Sequence, residues 1–390
     1  MWKKLLVSLS ILILGVFAFG FWFSSFLPDP EQKQLLAQTQ AGDIEYIQNG
    51  LAQTRGRILA VVTSSSTMGN SDKKTGYELT ELARAYYVFR ANGFEVDIAS
   101  PLGGQPAVVI DGDDMGAFDF AFLNDEVAQS KVNNSLSLAD VSAQNYAAVY
   151  FVGGKGAMFD FPDNVLLKDI VRELYQSDAV IGAVCHGPAA LLNVQLDDGS
   201  KLLANKEVSA FTNEEELFLI PDARNVFPFL LEEELIAQGA NFSGGERYLE
   251  KVSVDGKLVT GQNPWSVWQV AESMIKQLGF EARPRQVTAE ENSVDILSVY
   301  EEDGFSTALS HMRSILHTSE SSVDKLLIAM HGLVSVMEWD FPKTLDLLRL
   351  LHHAAKGDVS AGRQNIHSSD FFSRIAFTSK YMSSGNYDIA

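Results

Sequence analysis

Cysteine is nearly absent from this chain: 390 residues contain one, Cys185. A single thiol excludes a disulfide within the chain and any zinc site built on several cysteines. Basic residues are also in short supply, 30 Lys and Arg against 50 Asp and Glu, giving a formal net charge of −20. A phosphate-backbone binder needs a basic face, so no nucleic-acid partner is expected. The acidic surface keeps the chain solvated and repels polyanions. Apolar residues are plentiful, at 46%, which supplies a sizeable core and excludes a wholly disordered chain. At roughly 150 residues per domain, the length points to two units, or one large domain with additions.

Charge is missing altogether from Leu5 to Leu27 (LLVSLSILILGVFAFGFWFSSFL), with Lys3 and Lys4 before the run and Asp29 and Glu31 after it. Such a run is long enough to cross about 30 Å of hydrocarbon. A cleaved secretory signal has a shorter apolar region and a small-x-small cleavage site; Phe21, Trp22, Phe23 and Phe26 occupy that place. The expectation is an uncleaved membrane helix within residues 1–28. The positive-inside bias then puts everything after Pro30 outside the cytoplasm, which in a bacterium means the periplasm. Secretion after cleavage is the alternative. Residues 29–56, polar and Gln-rich, read as a linker with one short helix.

From Arg57 the texture is that of an α/β domain. Short apolar runs at 57–63, 95–99, 147–152 and 180–184 predict strands. Between them, 78–92 carries Leu79, Leu82, Tyr86 and Phe89 on one helical face and ends at Gly93, and 164–176 predicts another helix. Further pieces are a strand at 207–211, a helix at 230–238, a hairpin around Asp255-Gly256, and a closing helix at 265–278. Strands alternating with helices predict a parallel sheet covered on both faces, over residues 57–280.

After Arg283-Pro284-Arg285 strand patterns stop, and residues 286–390 read as three or four amphipathic helices with a Ser- and Gly-rich tail. Proline at the junction suggests a boundary, with the helices an accessory module dispensable for chemistry. Six of the seven histidines lie here, irregularly spaced and without a cysteine, which suits ordinary helix positions better than a metal site.

The seventh is His186, directly after the only cysteine in AVIGAVCHGPAALL. A buried strand ends, a turn follows, and proline opens the next helix, the pattern of a nucleophile elbow. A thiol at a helix N-terminus beside a histidine is expected to ionise below the free value of about 8.5. A buried core cysteine fits the same letters. A second strand leads into Gly153-Gly154-Lys155-Gly156, a turn able to aim backbone N–H groups at an oxyanion. It could equally cradle a phosphate, although it has neither P-loop nor GxGxxG spacing. Glu81, inside the first helix, would by itself be read as a solvated charge.

Taken together, the Glu81 helix, Ile98-Ala-Ser-Pro101, Gly153-Gly154-x-Gly156, Ala183-Val-Cys185-His186-Gly187-Pro188 and Phe211-Thr-Asn-Glu-Glu-Glu216 resemble the ThiJ/PfpI superfamily, most closely its glyoxalase III and heat-shock chaperone-like branch. The resemblance spans about Arg57 to Leu278. It implies a class I glutamine-amidotransferase-like, flavodoxin-type three-layer sandwich. It implies Cys185 as nucleophile, His186 as general acid/base, Glu216 as the acid orienting the histidine, and Glu81 as the carboxyl on the sulfur. Glu214 and Glu215 are close enough to be mistaken for Glu216. Gly153 and Gly154 match the oxyanion loop, with the Gly154 and His186 backbone N–H groups as donors. The implied reaction converts α-oxoaldehydes such as methylglyoxal to hydroxy acids without glutathione, metal or other cofactor, and the resemblance allows a homodimer. A holdase or thiol redox sensor of the same fold, or a peptidase- or amidase-like hydrolase, are the alternatives. Two departures matter. Lys155 stands where this branch usually has histidine, and no histidine lies between Gly187 and His311 to support glutamine hydrolysis.

Overall fold

A computed structural model describes residues 30–112, 115–318 and 322–361, with Gly20, Phe23, Ser24 and Phe26 before them. Its sheet strands are, in chain order, β1 (Arg57–Val61), β2 (Glu95–Ser100), β3 (Leu136–Ser137), β4 (Ala148–Phe151), β5 (Val180–Val184), β6 (Val252–Asp255) and β7 (Leu258–Gly261). They form one seven-stranded sheet in the order β6-β7-β5-β4-β1-β2-β3. All neighbours are parallel except β6 and β7, which pair antiparallel with Asp255 opposite Leu258. The hairpin turn is therefore Gly256-Lys257, with Gly256 at φ 61, where glycine meets no steric penalty.

The central strands are apolar throughout because both of their faces are covered. In chain order the main helices of this part are α1 (Leu79–Ala91), α2 (Ala117–Asn124), α3 (Glu126–Asn133), α4 (Val165–Gln176), α5 (Asn213–Leu219), α6 (Leu231–Ala237) and α7 (Val267–Gln277). On one face Leu82, Phe89, Trp268 and Met274 of α1 and α7 meet Ile58, Ala60 and Tyr150 of the sheet. On the other, Leu167, Ile170 and Leu174 of α4 meet Leu59, Val149 and Ile181. Three layers follow, as the strand-helix alternation predicts. Helix α1 is buried on nearly every side rather than on one stripe, since α2 covers its outer face. Arg84 on that face is only 2% exposed and lies 3.2 Å from Asp119 of α2.

Four helices follow: α8 (Ala289–Asp303), α9 (Phe305–His317), α10 (Lys325–Met337) and α11 (Phe341–Ala361). They share a core built on Leu297, Met312, Ile328 and Leu350, to which Leu249 and Trp265 of the α/β part also belong. The junction is tied rather than loose. Arg84 reaches Glu290 at 3.0 Å, and Arg285 pairs with Glu272 and Glu291 and lies 4.1 Å over the Trp268 ring. Two cavities of about 190 and 130 Å³ lie along this junction, and Cys185 lines neither. His311 sits 2.5 Å from Asp295, and among the described residues no group of three His, Cys, Asp or Glu is placed to hold a metal ion.

Two expectations need correction or limit. The segment expected as a linker is not a free tether, because residues 30–56 dock on the α/β part. Tyr46 is buried, with its hydroxyl accepting from Asn92 Nδ2 at 2.9 Å, and Asn124 Nδ2 donates to the carbonyls of Ala37 and Thr39. The membrane helix expected over residues 1–28 lies almost wholly outside the described residues. Among those described, no helix is long and apolar enough to cross a membrane. Phe23 and Phe26, near the end of the uncharged run, pack against the C-terminal helical core.

Candidate active site

Strand β5 delivers Cys185 to the carboxyl edge of the sheet between β4 and β7, and the chain then turns sharply. Cys185 has φ 58, a left-handed conformation that costs a non-glycine residue energy and marks a built turn. The conformation is clamped on both sides: Cys185 N–H donates to Gly261 O at 2.9 Å, and Phe211 N–H donates to Cys185 O at 3.0 Å. Gly187 packs against the end of β4 with no room for a side chain. The expected helix after the cysteine is only a five-residue 3-10 segment, Gly187–Leu191.

The other groups converge on this sulfur. His186 Nδ1 lies 3.3 Å from Cys185 Sγ, and His186 Nε2 lies 2.6 Å from Glu216 Oε2. The imidazole is buried, tilted against Phe211 at 4.7 Å and stacked on Phe227 at 6.2 Å, so its plane is fixed. Burial would raise the Glu216 carboxyl, but the charge and hydrogen bond of His186 outweigh it and hold the group below the usual carboxylate range.

The three adjacent glutamates separate cleanly. Glu214 is exposed and pairs with Arg247 at 2.6 Å. Glu215 turns inward: Oε2 accepts from Thr212 N–H, and Oε1 accepts from Tyr248 N–H and Asn263 Nδ2. Only Glu216 meets the histidine.

Glu81 is fully buried in α1, not solvated as its charge alone suggests. Its Oε2 accepts from Gly153 N–H at 2.7 Å, and Tyr150 hydroxyl donates to its backbone carbonyl at 3.0 Å. Burial pushes this carboxyl well above its ordinary value, and Glu78 adds to the effect. Oε1 has no hydrogen-bond partner among the described residues.

Two expectations change here. The thiol is not shifted down: burial pushes it well above its ordinary value, Glu81 adds to this, and the charge of Lys155 opposes it only in part. The short 3-10 turn lacks the dipole of a full helix. Gly153 is not a free oxyanion donor, because its N–H is committed to Glu81. The Gly154 and His186 N–H groups make no hydrogen bond among the described residues. Gly154, at φ 93, presses against the Gly76–Glu78 backbone, where a Cβ would stand 2.5 Å from Gly76 O. Sequence reading missed Tyr150, Asn263 and the Arg247-Tyr248 loop, none of which carries a motif; only the folded chain brings them beside Glu81 and Glu215.

Fold and site together define an α/β protein with a buried cysteine–histidine–carboxylate constellation on a strained elbow. The DJ-1/PfpI family pattern matches residues 73–219. Over 232 residues the chain is 31% identical to a glutathione-independent glyoxalase, hsp3102, of Schizosaccharomyces pombe, covering 56% of this chain and 97% of that protein. It is 30% identical to glyoxalase 3 of Candida albicans, covering 56% and 96%. Among solved structures it is similar to the Rapid Encystment Protein 24 kDa of Francisella tularensis (37% identity, TM-score 0.55, 57% of this chain and 99% of that one). It is also similar to glyoxalase III of Candida albicans (27% identity, TM-score 0.53, 59% and 99%). The chain belongs to the DJ-1/PfpI (ThiJ/PfpI) family.

Proposed function

We propose that this protein is a glutathione-independent glyoxalase acting on small α-oxoaldehydes, with Cys185 as nucleophile. The observation that carries the reading is the placement of His186 between Cys185 Sγ at 3.3 Å and Glu216 Oε2 at 2.6 Å. That geometry suits a base oriented by an acid. The names of relatives about 30% identical support the substrate class.

His186 takes the proton of the Cys185 thiol, which leaves a thiolate. The sulfur adds to the aldehyde carbon, and the oxygen takes a proton, forming a hemithioacetal. His186 then removes the proton from that carbon and a proton returns to the neighbouring carbonyl carbon. The first carbon is oxidised to the thioester level as the second is reduced to an alcohol, so no outside oxidant or reductant enters. Water cleaves the thioester to the 2-hydroxy acid and frees the thiol. The Gly154 and His186 N–H groups serve the oxyanions.

Lactate formation from methylglyoxal by the full chain, compared with Cys185→Ala, tests this. Equal rates, or none above background in the wild type, reject it; a holdase or redox-sensing role would then account for the retained thiol pocket. For placement in the cell, the uncharged run Leu5–Leu27 behind Lys3 and Lys4 supports an anchor with the enzyme outside the cytoplasm. A reporter fused after Gln40 should stay with the membrane, and a soluble product starting near Pro28 would show cleavage.

A further inference from the structure

We infer that Arg247 is a positioning residue for the His186–Glu216 pair, held in place from the far side by Glu338 of the C-terminal helices, so that those helices complete the candidate site. This rests on the reading of His186 and Glu216 given above.

Helix α5, which carries Glu216, has seven residues. A helix that short is not stable by itself, and its phase is set by what holds it. Its first turn is fixed by Glu215, whose Oε2 accepts from Thr212 N–H while Thr212 Oγ1 accepts from Glu215 N–H. Glu215 Oε1 is held by Tyr248 N–H and Asn263 Nδ2, each at 2.9 Å. Glu215 and Glu216 are adjacent, so whatever rotates Glu215 also swings Glu216 away from His186.

The Tyr248 contact is strained. Tyr248 has φ 60, and a bulky residue keeps such a backbone only when its surroundings hold it there. On one side its ring rests on Phe218 at 6.1 Å and Trp265 at 5.8 Å. On the other stands Arg247. Its guanidinium lies 4.6 Å over the Phe218 ring of α5, Nη2 donates to Glu214 Oε1 at 2.6 Å in the first turn of α5, and the same nitrogen pairs with Glu338. Glu338 caps the end of α10. One guanidinium thus joins the helix that aims Glu216 to the helical region about ninety residues further along the chain.

At Arg247 the contact between the two parts is an ion pair beside open space. A cavity of about 130 Å³, lined in part by Tyr248, His331, Ser335, Glu338 and Lys343, lies beside Arg247. With that space at hand, loss of one ion-pair partner can loosen α5 without collapse of the core around it.

The test uses the full chain carrying Arg247→Met, which keeps the stem over Phe218 and removes the charge, with Glu216→Gln as reference. Three quantities are read: kcat and KM for hydroxy-acid formation, the pH profile of Cys185 alkylation by iodoacetamide, and the melting temperature. Arg247→Met should lower kcat about tenfold with KM nearly unchanged, and shift the alkylation profile in the same direction as Glu216→Gln. Added to Glu216→Gln, it should change neither further, because both act through one pair. Glu338→Gln should give a smaller effect of the same sign, and Glu338→Asp should restore the wild-type profile. If Arg247→Met does not fold, Glu338→Gln decides, since it leaves the Arg247–Glu214 pair in place. An alkylation profile that superimposes on wild type, or losses that multiply in the double variant, overturns the inference. If the wild type forms no hydroxy acid while the alkylation profiles shift as stated, the glyoxalase reading fails and the positioning role stands.

Discussion

Gly153 gives its backbone N–H to Glu81 Oε2 at 2.7 Å, and the space where its side chain would begin is already filled. A Cβ there would stand 2.5 Å from that same oxygen and 2.8 Å from Cys185 Cβ. Val184 O would be 2.7 Å away, so Gly153→Ala must displace the carboxyl and the strand end that carries the cysteine. Overpacking of this kind costs about 1–3 kcal/mol, and hydroxy-acid formation should fall on the order of 10²-fold as the aligned groups separate. A melting curve and a lactate assay check both. Wild-type turnover in a folded Gly153→Ala would show that this alignment plays no part.

Burial pushes both the Cys185 thiol and the Glu81 carboxyl up, and the charge of Glu81 raises the thiol further. Iodoacetamide labelling of the wild type should therefore show its inflection above the free-thiol value of about 8.5. Glu81→Gln removes the negative potential and leaves an amide able to donate to sulfur, so the inflection should move down by on the order of one unit. An unmoved or higher inflection in Glu81→Gln sinks this account of the pair.

The three adjacent glutamates should behave as three different residues. Glu216→Gln is expected to lower kcat by about 10–100-fold at nearly constant melting temperature. Glu215→Gln should instead cost stability, about 1–3 kcal/mol, because a buried carboxylate with several donors is lost. Glu214→Gln, on the surface, should cost under about 1 kcal/mol. Urea titrations beside kinetics separate the three, and equal kinetic losses at all three positions would refute the assignment.

His331 gives the helical region a pH dependence of known sign. Burial, with Lys343 and Arg247 nearby, pushes its imidazole from the ordinary 6.5 down to about 4. Between these values the unfolded chain binds the proton and the folded chain does not, so stability falls as pH drops from 6.5 towards 4. The full loss is on the order of 3 kcal/mol. Melting temperatures from pH 7 to pH 4.5 should decline more steeply in the wild type than in His331→Gln. Parallel curves would show that His331 is already solvated.

Period and composition were enough to read the three-layer architecture. The runs RILAV, AVYF and VIGAV can only be central strands, and the elbow is legible because Cys185, Gly187 and Pro188 sit together in the chain. Glu81 was legible by resemblance but not by physics, since nothing local in α1 says that one carboxylate is buried. The thiol's direction was misread for the same reason: the letters display a helix start and a histidine, whereas burial is a property of the closed fold. Arg247 and Tyr248 were invisible because their role depends on contacts with residues as far away as Glu338.

Strand β5 lies between β4, completed by residue 151, and β7, which ends at Gly261. A chain emerging N-terminus first has made the cysteine, its histidine and all three glutamates before Gly261 exists to receive the Cys185 N–H. Until then the strand bearing the thiol is an open edge, free to pair with another chain. The late hairpin is thus a seal written into the order of synthesis: a polypeptide arrested before β7 would present its one thiol on an unprotected, aggregation-prone border.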